Sequence, residues 1–221
     1  MHHATLPRRA RLRASLALTL ALAACDPITF TAAPSPAQTA AGSGVVEKWS
    51  APSDPLARAT AAGLVPETAE HLAFHVHAHL DVFIDGAPVV VPAGIGINIS
   101  DPGVKHGPGP GGATAYGGIT GCAQPCISPL HTHDVTGILH TESEATTPNT
   151  LGQFFTEWGV TLSSTCVGEY CSPGTPVAFY LNGAQFSGDP TTVQLTDHLE
   201  IAIVIGTPPP VIPATADFSG A

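Results

Sequence analysis

Residues 122–142 read CAQPCISPLHTHDVTGILHTE, and the way this stretch pairs with itself decides the fold. Asp134-Val135-Thr136-Gly137 fits a type I turn, with Asp at its first position and Gly at its fourth. Apolar and polar residues alternate on both sides, which predicts a β-hairpin with arms 130–133 and 138–142. A four-residue turn sets His133 opposite Ile138, Thr132 opposite Leu139 and His131 opposite His140. Side chains on a strand change face at every residue. His131, His133, His140 and Glu142 therefore share one face, and Leu130, Thr132, Leu139 and Thr141 the other. Directly opposed Cβ atoms lie about 5 Å apart, near enough for two imidazoles to grip one ion.

A second cluster precedes it in His75-Val76-His77-Ala78-His79-Leu80-Asp81-Val82-Phe83-Ile84-Asp85-Gly86. Val76, Ala78, Leu80, Val82 and Ile84 form a core face, while His75, His77, His79, Asp81, Phe83 and Asp85 are expected on a solvent face. Asp85-Gly86 is a tight-turn signal, with 87–91 as the returning strand and 96–100 as one more strand. Residues 101–121 hold eleven glycines and prolines and read as a long surface loop containing a solvated His106.

Two short helices are expected. Around 54–62, Ser53 or Asp54 can cap, Pro55 suits the first helical position, and Gly63 ends the helix. Across 150–159, Thr150 and Gln153 make a capping box and Gly159 closes the helix. Leu151, Phe154, Phe155 and Trp158 line a single apolar stripe, which belongs to a core. Strands follow at 177–181 and 199–205, with Asn182-Gly183 as a turn. Phe179-Tyr180-Leu181-Asn182-Gly183 echoes Val82-Phe83-Ile84-Asp85-Gly86, which raises a two-fold internal repeat as an expectation. The fold class is therefore mainly β, a β-rich α+β arrangement of antiparallel strands and hairpins with one or two short helices.

The N-terminal region has its own signature. Arg8, Arg9, Arg11 and Arg13 precede an apolar run and Leu22-Ala23-Ala24-Cys25. This reads as an export signal over 1–25. The last four residues resemble a bacterial lipobox, which implies a lipid on Cys25 and a membrane anchor on the periplasmic or cell-surface side. Residues 26–44 read as a flexible tether, 45–206 as the histidine-rich domain, and 207–221 as a proline-rich tail. Without the signal, three basic residues (Lys48, Arg58, Lys105) face seventeen acidic ones, a net charge near −14. Such a chain has no electrostatic footprint for nucleic acid and instead draws cations toward itself. Cys122, Cys126, Cys166 and Cys171 remain, and an even number in an exported chain argues for two disulfides, with the local pairs 122–126 and 166–171 favoured. A thiolate copper site at Cys122 and Cys126 is the competing idea.

Imidazole suits zinc and copper(II). The candidate metal ligands are His75, His77, His79, His131, His133 and His140, more than one tetrahedral ion needs, so either two ions bind or one cluster is partly structural. Glu142 and Asp134 are candidates to orient the rings, and His71 and His198 fall to surface or helix-end roles. The only methionine is Met1, which argues against thioether capture of copper(I) and against a blue-copper site with an axial Met. The leading function is extracytoplasmic binding of copper(II) or zinc for metal homeostasis or delivery. The alternative is a hydrolase or hydratase with a three-histidine metal centre, a metal-bound water and Glu142 as its acid–base group. An adhesion module with pH-sensitive histidines is a third reading.

The combination of His-Val-His-Ala-His-Leu at 75–80, Leu130-His131-Thr132-His133-Asp134, Gly137-Ile138-Leu139-His140 with Glu142, and Leu151-Gly152-Gln153-Phe154-Phe155 resembles an uncharacterised family of exported prokaryotic proteins with H-x-H-x-H and L-H-T-H-D motifs. The resemblance covers roughly 72–205. It implies that the motifs form one site and implies no particular reaction.

Overall fold

The computed structural model describes residues 47–144 and 148–219. The expected export signal with Cys25 and the tether lie outside these residues. Among the described residues, no helix is long and apolar enough to cross a membrane.

Strand β1 (Phe74–Ile84) is the axis of the fold. It turns through Asp85 and Gly86, both at positive φ (49° and 79°), into β2 (Ala87–Val89). Two successive left-handed residues make the tight turn that matches strand twist. Next come β3 (Lys105–Pro108) and β4 (Thr114–Gly117), a separate hairpin, then β5 (Leu130–His131) and β6 (Ile138–Ser143). The last third of the chain supplies β7 (Cys166–Val167), β8 (Tyr170–Cys171), β9 (Val177–Leu181), β10 (Ala184–Phe186) and β11 (Leu199–Ile205). The main sheet runs β10-β9-β11-β1-β6-β5, with β2 also on β1.

The sheet is mixed, because β11 pairs with β1 in parallel while its other ladders are antiparallel. Every residue of β11 is buried, as expected of a parallel strand covered on both faces. Its start is pinned to β1 by His198, whose N–H donates to the His77 carbonyl at 2.7 Å, and by Asp197, whose carboxylate accepts from the His77 N–H at 3.3 Å.

Helices α1 (Pro55–Ala61) and α2 (Leu151–Trp158) occupy the expected segments, but Asp54 at the start of α1 makes no side-chain cap and instead accepts from Arg58 Nε at 2.9 Å. In α2 the Thr150 hydroxyl accepts from Gln153 N–H, the Gln153 side chain accepts from Thr150 N–H, and Gly159 takes φ 78°. Leu151, Phe154, Phe155 and Trp158 join Ala78, Leu80, Val82, Leu130, Leu139, Ile201, Ile203 and Ile205 in one buried cluster. Each leucine, isoleucine, valine or phenylalanine among them stabilises the fold by roughly 1.5–3 kcal/mol when fully buried. Both disulfides are the local pairs Cys122–Cys126 and Cys166–Cys171, the second joining directly opposed residues of β7 and β8.

Several expectations are corrected. The arm 130–133 keeps only Leu130 and His131 in the ladder, because Thr132 turns to a different partner. Its N–H donates to the Ile95 carbonyl at 3.1 Å, and its hydroxyl donates to the Pro92 carbonyl at 2.8 Å. Residues 96–100 form turns and a single bridge, Ile97 with Ile127, instead of a strand. The stretch 101–121 holds the β3–β4 hairpin instead of an irregular loop, with an exposed His106 in β3. The returning strand stops at Val89, and the two echoing segments share a hairpin turn without further support for a repeat. The tail has no regular element within 207–219, yet the Phe218 ring stands 4.6 Å from that of His198.

One buried group opposes the fold. Glu157 of α2 is fully buried, and neither carboxylate oxygen has a hydrogen-bond partner. Burial pushes its pKa well above 4.5, against a smaller opposing influence from Ser128. A raised folded-state pKa contributes stability that is complete below about pH 4.5 and is lost as pH rises toward the folded value. Glu157→Met is therefore expected to flatten the loss of stability between pH 4.5 and 8, gaining on the order of 1–3 kcal/mol at pH 8 in denaturant unfolding. A loss of stability at pH 8 would mean the carboxylate has a partner that the fold needs.

Candidate metal centre

Strand β6 runs between β1 and β5, and their registers line up the histidines. His77 and His131 flank His140, and His75 lies beside Glu142. The His131 and His140 rings stack at 5.5 Å with 8° between planes, while His133 and His77 stand edge-on to His140 at 4.3 and 4.5 Å. The β1 face expected to be solvated is largely covered, with His75 exposed but His77, His79, Asp81 and Phe83 only half-exposed, and beside it His131, His140 and Glu142 are buried. The segment between β2 and β5 closes over it. Gly96, at φ 74°, makes that closure sterically feasible, since a Cβ there would collide with the Leu130 carbonyl oxygen and crowd His131.

Backbone carbonyls set the tautomers of the central pair. His131 Nδ1 lies 2.9 Å from the Ser128 carbonyl oxygen, and His133 Nδ1 lies 2.6 Å from that of Tyr116 in β4. A carbonyl can only accept, so each Nδ1 carries the hydrogen and each neutral ring directs its Nε2 lone pair inward. Those two Nε2 atoms are 3.3 Å apart. Two lone pairs at that distance repel unless a proton or a cation sits between them. Adjacent corners of a tetrahedron with metal–nitrogen bonds of about 2.0–2.1 Å are themselves separated by about 3.3 Å, whereas a square of the same bond length gives about 2.9 Å.

Glu142 provides the negative charge. Its Oε1 lies 3.2 Å from His75 Nε2 and 3.3 Å from His140 Nδ1, and its Oε2 lies 3.9 Å from His131 Nε2. Burial disfavours its charge, but His133, His140 and His131 outweigh that and hold its pKa well below the usual carboxylate range. Glu142 Oε2, His77 Nε2 and Glu70 Oε1 are buried without hydrogen-bond partners. Glu70 Oε1 stands 4.0 Å from His133 Nε2. Two groups of ligand atoms therefore sit within 4.8 Å of one another, His131, His133, His140 and Glu142 in one, and His75, His77, His140 and Glu142 in the other. Both could hold a metal ion.

His79 stands apart from the other five candidate histidines. Its Nε2 donates to the Thr136 carbonyl at 2.8 Å and its Nδ1 lies 2.9 Å from the buried Glu200 carboxylate, with Asp81 beside it at 3.8 Å. Those three residues form a smaller group with metal-ligand spacing. Asp134 does not orient a ring; its carboxylate accepts from the Thr136 N–H at 2.8 Å and shapes the turn. His71 lies between Glu67 and Glu144 at 3.8 and 3.5 Å, and His198 is exposed. Cys122 and Cys126 are disulfide-bonded, so they offer no thiolate.

Sequence reasoning missed Glu70, Glu200 and the carbonyls of Ser128 and Tyr116. Glu200 carried a readable flag, a lone carboxylate within the apolar run of β11. The carbonyls carry none, because every residue has one. No protein-family model, curated protein or solved structure matches the chain.

The electrostatics predict an ordered titration in the metal-free protein. Burial lowers His131 and His140 below 6.5 and brings His77 down to about 4. Burial also acts on His79 and His133, but the carboxylates of Glu200 and Glu142 respectively outweigh it and raise both above 6.5. The stability that His79 contributes is complete below about pH 6.5 and is lost as pH rises through its folded value. NMR titration of the ring protons is expected to separate these two classes, with His77 neutral at pH 5.5. Uniform titration near 6.5 would contradict the packing described.

Proposed function

We propose that this protein is an extracytoplasmic lipoprotein that binds a divalent transition metal for homeostasis or delivery. The facing Nε2 atoms of His131 and His133, 3.3 Å apart with both Nδ1 hydrogens committed to carbonyls, carry the reading. The rings are held in the tautomer and orientation a ligand needs before any ion arrives, which is what supporting hydrogen bonds do in metal sites. His140 and Glu142 complete a four-ligand group of three imidazoles and one carboxylate. That donor set suits zinc or copper(II), and the tetrahedral spacing favours zinc. Glu142 is engaged by several imidazoles, so it acts here as a ligand and not as a free acid–base group. The two disulfides support an oxidising compartment, and the basic-apolar-Cys25 signature supports export and anchoring there.

Protein purified without a histidine-affinity step is expected to retain zinc or copper on elemental analysis. Replacing both His131 and His133 with alanine should lower zinc affinity beyond the roughly 10–100-fold that supporting residues usually contribute. Affinity should also fall as pH drops, first as His133, held above 6.5, takes a proton and then as His140 and His131, held below 6.5, follow. Unchanged zinc affinity in the double variant, measured by competition with a chromophoric chelator, would remove this reading.

A further inference from the structure

We propose that the cluster takes two ions, with the Glu142 carboxylate as the bridge between them; this rests on the metal-binding reading above and deepens it. The first argument is supply. Five imidazoles and a carboxylate converge on one sheet face, and a tetrahedral ion uses four ligands. The second is spatial division. His75 and His77 come from β1 and His131 and His133 from β5 and its turn, and β6 separates the two pairs. Each pair closes into a group only with His140 and Glu142, and among the described residues no group of that spacing combines the two pairs.

Glu142 is oriented as a bridge. Its Oε1 lies nearest the first pair, 3.2 Å from His75 Nε2 against 4.0 Å from His133 Nε2, and its Oε2 lies 3.9 Å from His131 Nε2 in the second. Each half also holds a buried atom with no hydrogen-bond partner, His77 Nε2 on one side and Glu142 Oε2 on the other. A single ion seated in the hairpin half leaves His77 unsatisfied, and one seated in the β1 half leaves His131 and His133 facing each other. Two ions about 3.5–4 Å apart, the usual spacing of paired metal sites, resolve both.

The halves are unequal. The hairpin half is the more enclosed, and Glu70 stands at 4.0 Å from His133 to support it. The β1 half reaches solvent through His75, whose side chain is 34% exposed. If His140 completes the hairpin ion, the β1 ion has His75, His77 and one Glu142 oxygen, and its fourth position is open. One ion is thus held tightly, and the other can exchange with a partner or an incoming ligand.

The test is zinc titration of the disulfide-intact protein with elemental analysis after gel filtration. Two ions per chain are expected, the second at least 10-fold weaker than the first. A variant with His75→Ala and His77→Ala should keep the first ion at unchanged affinity, which also reports intact folding, and lose the second. Copper(II) loading checks the bridge: the resonance signal should be that of isolated ions at one equivalent and of a coupled pair at two. One ion per chain overturns the two-ion centre and leaves the binding function standing, whereas none overturns both. Two uncoupled ions mean that the second lies elsewhere, as at His79, Asp81 and Glu200, and overturn the bridge.

Discussion

The pairing of β1, β6 and β5 is the constraint on which the rest depends, because it puts His77, His140 and His131 in one row. Strand β1 serves two purposes through its period of two. Ala78, Leu80 and Val82 join the buried cluster that holds α2, and His75 and His77, on the other face of the strand, line the site. A slip of one residue would exchange the faces, carrying imidazoles into the core and leucine into the site. Core burial therefore fixes the geometry of the candidate site, and the hydrophobic energy of the α2 face holds its side chains in place. That energy also offsets the unfavourable burial of His131, His140 and Glu142, each of which disfavours folding unless it is partnered.

The covering segment turns this row of histidines into a site. Thr132 leaves the hairpin ladder to bond with Ile95 and Pro92, which docks the loop after β2 onto β5. The β3–β4 hairpin then brings the Tyr116 carbonyl to His133. The Cys122–Cys126 bridge fastens the chain just before β5, next to the small apolar cluster of Ile97, Val104, Ile119 and Ile127. The chain between the two histidine motifs is thus a cover built from turns and the β3–β4 hairpin. It excludes water from imidazoles that an open sheet would have left solvated.

Strong local signals were legible in the sequence. The Thr150–Gln153 capping box, the Asp85-Gly86 and Asn182-Gly183 turns and the opposition of His131 with His140 each follow from a few neighbouring residues. Contacts between distant segments were not legible. Thr132 looked like a strand residue because its alternation is correct, and only the approach of residues 92–95 reveals its other partner. The β3–β4 hairpin was hidden because its glycines and prolines mask any alternation. His79 fits the same pattern as His75 and His77, but Glu200 on the parallel β11 and the Thr136 carbonyl engage both of its ring nitrogens. A parallel partner more than a hundred residues away leaves no trace in local periodicity.

The acidic, exported character expected of the chain and the geometry of the site point to the same chemistry, a cation held by nitrogen and oxygen. X-ray absorption at the zinc edge of the zinc-loaded protein tests that claim most directly. The account predicts a first shell of imidazole nitrogen and carboxylate oxygen at about 2.0–2.1 Å, with the outer scattering that imidazole rings produce. Sulfur at about 2.3 Å, or a shell of oxygen alone without ring scattering, would contradict it.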